Sequence, residues 1–146
     1  MTIDVRVYGN PRPQPRPRAY RRGDHAAVYN PSTGEGWKLL VAAALRDKIP
    51  PAPFEGPVSV SARFLMPRPR RLQRKKDFEG EIAHTAKPDG DNLVKAILDI
   101  CTQLSIWRDD AQVVDTFIQK RYAAKSGRPG LHLIIRSLNE DGGSEE

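Results

Sequence analysis

The stretch DNLVKAILDICTQLSIWRDDAQVVDTFIQKRY, Asp91 to Tyr122, changes its hydrophobic period once along its length. In the first half, Leu93, Ile97, Cys101 and Leu104 recur at helical spacing, flanked by Val94 and Leu98. That stripe is the apolar face of an amphipathic helix, running from about Asp91 to Leu104. In the second half, from Gln112 to Tyr122, Val114, Thr116, Ile118 and Tyr122 share one face of an alternating pattern, which reads as a strand.

The same two periods organise the rest of the chain. Near the start, Ile3, Val5 and Val7 alternate with Asp4, Arg6 and Tyr8. Val58, Val60, Ala62, Phe64 and Met66 do so further on, as do Leu131, Leu133 and Ile135, and each set predicts a strand. Between the first two lies a predicted helix. It opens on a capping box, with Ser32 as N-cap and Glu35 reaching back, and runs to about Lys48, with Trp37, Leu40, Val41, Ala44 and Leu45 as its core face. The order is strand, helix, strand, helix, strand, strand. It predicts a two-layer α+β domain, with a mixed β-sheet of about four strands and two helices packed on one face. One domain is expected over residues 1–138, followed by an acidic tail, 139–146, expected to be disordered.

Two segments have neither period. PRPQPRPRAYRRGDHAAVYNPS, after Asn10, is rich in proline and arginine and reads as a long basic loop. PRPRRLQRKKDFEGE, after Met66, puts six bases in nine residues between Arg68 and Lys76 and also reads as a loop. The 146-residue chain carries a net charge of +6, and without the four acids of its tail the body stands at +10. Clustered basic charge on a small domain points to a polyanionic partner, most often nucleic acid. Arg16, Arg18, Arg68, Arg70, Arg71, Arg74, Lys75, Lys76 and Lys87 are the expected DNA contacts. No apolar run approaches the ~20 residues of a membrane span. The start MTIDVRVYGN lacks a signal-peptide pattern, and the single cysteine rules out an intramolecular disulfide. A cytoplasmic protein is expected.

Against this basic background stand Asp89, Asp91, Asp109 and Asp110. Asp89 and Asp91 flank a glycine at the predicted helix start, and Asp91, Lys95 and Asp99 lie on one helical stripe. Carboxylates on a DNA-binding surface repel phosphate unless a cation sits between them. Mg²⁺ is held by one or two carboxylates while keeping water and phosphate oxygens as further ligands. A lysine one turn away can stabilise charge in a phosphoryl transition state. Ordinary capping accounts for the same acids equally well, because aspartate at a helix N-terminus caps amides and offsets the dipole. Local pattern does not separate the two readings.

The combination does. Asp89-x-Asp91-Asn92, then Lys95, then Trp107-x-Asp109-Asp110, together with Lys87-Pro88, Ala111-Gln112-Val113 and the early QPRPR segment followed by Tyr29-Asn30-Pro31, resembles the RusA-type Holliday-junction resolvases over roughly Val5 to Arg136. The resemblance implies a Mg²⁺-dependent, homodimeric endodeoxyribonuclease that resolves four-way DNA junctions by paired cuts, in recombination and repair, in a bacterial or phage-infected cell. It implies Asp89, Asp91 and Asp110 as metal-binding carboxylates and Lys95 as the catalytic lysine. The alternatives are a non-catalytic nucleic-acid-binding protein, or a Mg²⁺-dependent nuclease acting on other branched DNA or on RNA.

The remaining residues have plainer expectations. Asp109 is expected as a turn residue or a support to the ligands, with a direct metal-ligand role as the alternative, Asp99 as a salt-bridge partner, Asn92 as an orienting side chain and Trp107 as a core or turn anchor. Cys101 is a buried small hydrophobe. His25, His84 and His132 do not share metal-ligand spacing.

Overall fold

The computed structural model describes residues 1–15, 18–22, 25–29 and 34–139, with only the backbone course at 18–22 and 25–29. The elements are β1 (Thr2–Tyr8), β2 (Arg18–Arg22), β3 (His25–Tyr29), α1 (Glu35–Arg46), β4 (Val58–Met66), β5 (Ile82–Ala83), α2 (Gly90–Gln103), β6 (Val113–Tyr122) and β7 (Gly130–Ser137). Two 3-10 turns, Arg70–Leu72 and Asp110–Gln112, lie between them.

Five strands form a mixed sheet in the order β1-β7-β4-β6-β5. β7 pairs antiparallel with β1 and β4, whereas β4 and β6 are parallel neighbours. A parallel pair needs a crossover, and α2 supplies it. The class is the expected one, with one strand more in the sheet than expected. The extra strand, β5, pairs only two residues with β6, too few for any alternation to register.

The expected alternation sets which side of the sheet is covered. On β1, β4 and β7 the predicted inward residues are the buried ones, including Ile3, Val5, Val58, Val60, Ala62, Phe64, Leu133 and Ile135. Trp37, Val41 and Leu45 of α1 and Leu93, Val94, Ile97, Ile100 and Cys101 of α2 close the other side of this core. Leu40 was expected on the core face of α1 but is exposed.

Three expectations are corrected. The long basic loop contains a two-stranded ribbon, β2 with β3. Its prolines stop at Pro17 and resume at Pro31, leaving a stretch whose amides are free to pair. The N-cap of α1 is Gly34, in the left-handed region at φ 98°. Ser32, the expected cap, lies outside the described residues. In β6 the register shifts between Val58 and Ser59 of its partner: Val113 sits opposite Val58, and Val114 is left out and exposed. The strand also begins at Val113, so Asp109 and Asp110 precede it. The acidic tail from residue 140 lies outside the described residues. Among the described residues no helix is long and apolar enough to cross a membrane.

Candidate active site

Asp89 is the N-cap residue of α2, with extended backbone, and its carbonyl accepts from Asn92 and Leu93 amides. Its side chain makes no capping hydrogen bond. The carboxylate is therefore not spent on satisfying helix amides, as capping would require. Asp91, one residue into the helix, is exposed, as is Asp89. Gly90 between them packs closely on the sheet: a Cβ there would lie 3.0 Å from Ile118 Cγ2 on β6, so that side chain would have to give by a few tenths of an ångström. Glycine lets the helix start lie directly on the sheet, with the two carboxylates facing solvent. Lys95 is exposed one turn further on, and among the described residues neither it nor Asp91 belongs to an ion pair. The expected salt bridge of Asp99 is likewise missing among the described residues.

The loop carrying Asp89 is held by a residue that sequence reasoning missed. Lys120 Nζ donates to the carbonyls of Ala86 and Pro88, each at 2.7 Å. Its position continues the row Thr116, Ile118 and Tyr122 on the helix side of β6, where a lysine breaks the apolar pattern. That break was the available signal. Beside it, His84 is 8% exposed and packs edge-on against Tyr122 with ring centroids 4.5 Å apart. Burial, and then the charge of Lys120, lower the His84 pKa. The early proline loop also reaches this corner, since the Gln14 amide donates to the Asn92 carbonyl at 3.1 Å.

Asp110 is placed elsewhere. α2 ends in a Schellman arrangement: Ser105 turns left-handed at φ 60°, with its amide on Thr102 O and the Ile106 amide on Cys101 O. The chain folds back at once, and Trp107 is buried, with 1% of its surface exposed. Asp110 Oδ1 accepts from the Thr102 hydroxyl and from Trp107 Nε1 at 3.3 Å. Asp110 is thus tied to the C-terminal end of α2, whereas Asp89 and Asp91 sit at its N-terminus. From Asp91 to Thr102 the helix rises ~16 Å. Asp89 and Asp91 thus lie at the start of α2 and Asp110 at its end. Among the described residues no three histidine, cysteine or acidic side chains are grouped to hold a metal. Cys101 is buried, and that burial, with Asp110 nearby, raises its thiol pKa. Asp109 caps the turn Asp110–Gln112 in a capping box with Gln112, as expected of a turn residue.

The basic residues divide by what they already bind. Arg68 donates to the carbonyls of Leu72, Gly80 and Phe78, so its guanidinium holds its own loop together. Arg74 is paired with Asp77, which lowers the Asp77 pKa. Arg70, Arg71, Lys75, Lys76 and Lys87 are exposed. Phe78, in the same loop, is 67% exposed, an aromatic that sequence reasoning did not single out. Arg16 lies outside the described residues, and of Arg18 only the backbone, in β2, is described.

A two-layer α+β fold, with unengaged carboxylates at a helix start in a basic chain, has the donor chemistry of a metal-assisted phosphodiesterase. The family model Endodeoxyribonuclease RusA matches residues 8–136, and the chain belongs to this family of endodeoxyribonucleases, which are hydrolases. It is 32% identical to the protein YqaN of Bacillus subtilis (strain 168) over 94% of this chain and 97% of that one. It is 28% identical, over 87% of its length and 91% of theirs, to the proteins named crossover junction endodeoxyribonuclease RusA of Escherichia coli (strain K12) and of Enterobacteria phage 82.

Proposed function

We propose that the protein is a Mg²⁺-dependent endodeoxyribonuclease that resolves four-way DNA junctions by paired phosphodiester hydrolysis, acting as a homodimer in the cytoplasm of a bacterial or phage-infected cell, in recombination and repair. The observation that carries this reading is the free carboxylate of Asp89, beside exposed Asp91, at a helix start where capping would have engaged it. The relatives named as crossover junction endodeoxyribonucleases support the substrate.

The oxygen donors of Asp89 and Asp91 fit a hard cation, and two carboxylates are the usual protein contribution to a Mg²⁺ site. Asp110 is the third carboxylate of the set. Mg²⁺ bound there would neutralise phosphate charge and make water acidic enough to act near neutral pH. Lys95, on the same stripe as Asp91, faces solvent where it can donate to a phosphate oxygen as negative charge builds there. Arg70, Arg71, Lys75, Lys76 and Lys87 would contact phosphates outside the reacting centre. Phe78 offers a face on which an unstacked base can lie.

The test is incubation of a synthetic four-way junction and a linear duplex, each with Mg²⁺ and with EDTA. Cleavage of the junction alone, and only with Mg²⁺, is expected. D89N, D91N and D110N should each abolish cleavage and retain junction binding. Binding without cleavage by the wild-type protein would overturn the enzymatic reading.

A further inference from the structure

The side of the sheet away from the helices carries a pattern of its own. Arg6 on β1, His132 on β7, Arg63 on β4 and Gln119 on β6 are register partners. They form one row across four strands, with neighbouring strands ~4.8 Å apart. The adjacent row is Tyr8, Gly130, Leu65 and Arg121. Gly130 puts no side chain into that row, and none fits there, because a Cβ would collide with the Val7 carbonyl oxygen. The gap is a shallow hollow lined by Arg6, Tyr8, Arg63, Leu65, Arg128 and His132. Arg128, from the loop before β7, lies over the Tyr8 ring, 4.2 Å from its centroid. The aromatic face steadies that guanidinium without neutralising it.

The charges around the hollow do not cancel. Arg63 donates to Gln119 Oε1 at 3.0 Å and is paired with Glu81, and His132 Nε2 lies 2.8 Å from Asp4 Oδ1. Arg6 and Arg128 are exposed and belong to no ion pair among the described residues. None of the residues lining the hollow is acidic. Like charges crowded on neighbouring strands cost stability unless an anion lies between them. Guanidinium groups suit a phosphate in particular, since their planar forks match its oxygens.

We propose that this hollow is a second phosphate-binding site, which takes a backbone phosphate of a nucleic-acid strand on the face of the sheet opposite the helices. Arg6 and Arg128 would donate to the phosphate oxygens, with Arg63 behind them. The hollow is shallow and open to solvent, so it suits a phosphate carried on a larger chain better than a free ion, which needs donors on all sides. The inference does not depend on the carboxylates of α2, which lie on the other side of the sheet.

The test follows the arginine Nε–H and backbone amide resonances of the full chain by NMR, in EDTA so that nothing is cut. A short single-stranded oligodeoxynucleotide without a terminal phosphate should shift the side-chain resonances of Arg6 and Arg128 and the Gly130 amide. Inorganic phosphate at the same phosphate concentration should shift them much less. Equal shifts with both would assign the hollow to free phosphate and overturn the nucleic-acid source. No shift at these three groups, whether or not the oligonucleotide binds elsewhere on the protein, would overturn the site. A second measurement is the salt dependence of oligonucleotide binding. R6Q/R128Q should flatten the log–log slope by about 0.7 units, the share of one phosphate on a single strand. R46Q/K48Q removes the same charge from the exposed end of α1 and should leave the slope unchanged. Equal slopes in the two variants would reduce the effect to net charge and overturn the proposal.

Discussion

The Thr102 hydroxyl donates to Asp110 Oδ1 and accepts the indole N–H of Trp107 at 2.8 Å, so that a buried tryptophan, a helix terminus and a candidate catalytic carboxylate form one connected unit. T102V removes the link and leaves Asp110 with the longer contact to Trp107. A hydrogen bond to a charged group contributes ~1.5–3 kcal/mol, so the cleavage rate at saturating junction should fall ~10–100-fold. T102S should restore it, with junction affinity unchanged in both variants. An unchanged rate in T102V would separate this network from the chemistry.

Lys95 and the basic loop should fail in different ways. If Lys95 donates to the reacting phosphate as proposed, K95A should lower the single-turnover rate ~10²–10³-fold with little change in affinity. Neutralising Arg70, Arg71, Lys75 and Lys76 together should weaken binding and flatten its salt dependence, by about one unit of log–log slope for each phosphate no longer neutralised. Arg68 and Arg74 are poor targets, because their guanidinium groups already hold the loop.

K120M should loosen the segment that presents Asp89. Two charge-assisted bonds to Ala86 and Pro88 carbonyls disappear, and the carbonyls are left to solvent. The expected loss of stability is on the order of 2 kcal/mol by urea denaturation. Cleavage should fall as well, because the Asp89 carboxylate is no longer held at the helix start.

His84 makes stability depend on pH. Its folded-state pKa lies below the ordinary value of ~6.5, owing to burial first and Lys120 second. Above ~6.5 the imidazole is neutral in both folded and unfolded chains, and the full stability is present. As the pH falls below that value, the unfolded chain takes up a proton that the folded chain resists, and stability is lost. Urea midpoints of the wild type should drop between about pH 7 and about pH 5.5, and H84F should show a shallower drop. Equal slopes would remove His84 as the cause.

Much of this fold is legible in the residues because the core is one-sided. β1, β4 and β7 each pack one face on helices and leave the other open, so burial imposes strict alternation. α2 reads just as clearly, since Leu93, Ile97 and Cys101 recur on the face it buries. The ribbon of β2 and β3 has no such pattern, and β5 is too short to show one. The position of Val114 was misread because a register shift in the β4–β6 pairing slips the alternation by one residue. Lys120 interrupts the apolar row of β6, but its role was not legible because its partners are carbonyl oxygens, which every residue possesses.

The order of residues already sets out the chemistry on offer: unusual carboxylates in a basic chain, a lysine one turn from Asp91, and two amphipathic helices alternating with strands. Residue type and periodicity are local properties, and local properties survive in a linear string. It takes the folded chain to show that the Asp89 carboxylate is not used as a cap, that Arg68 holds its own loop, and that Asp110 sits with Thr102 and Trp107, at the far end of α2 from Asp91. Those facts depend on where the chain turns after Gln103 and which backbone groups it meets there. Contacts between distant residues are set by packing of the whole core, which no short window of sequence contains.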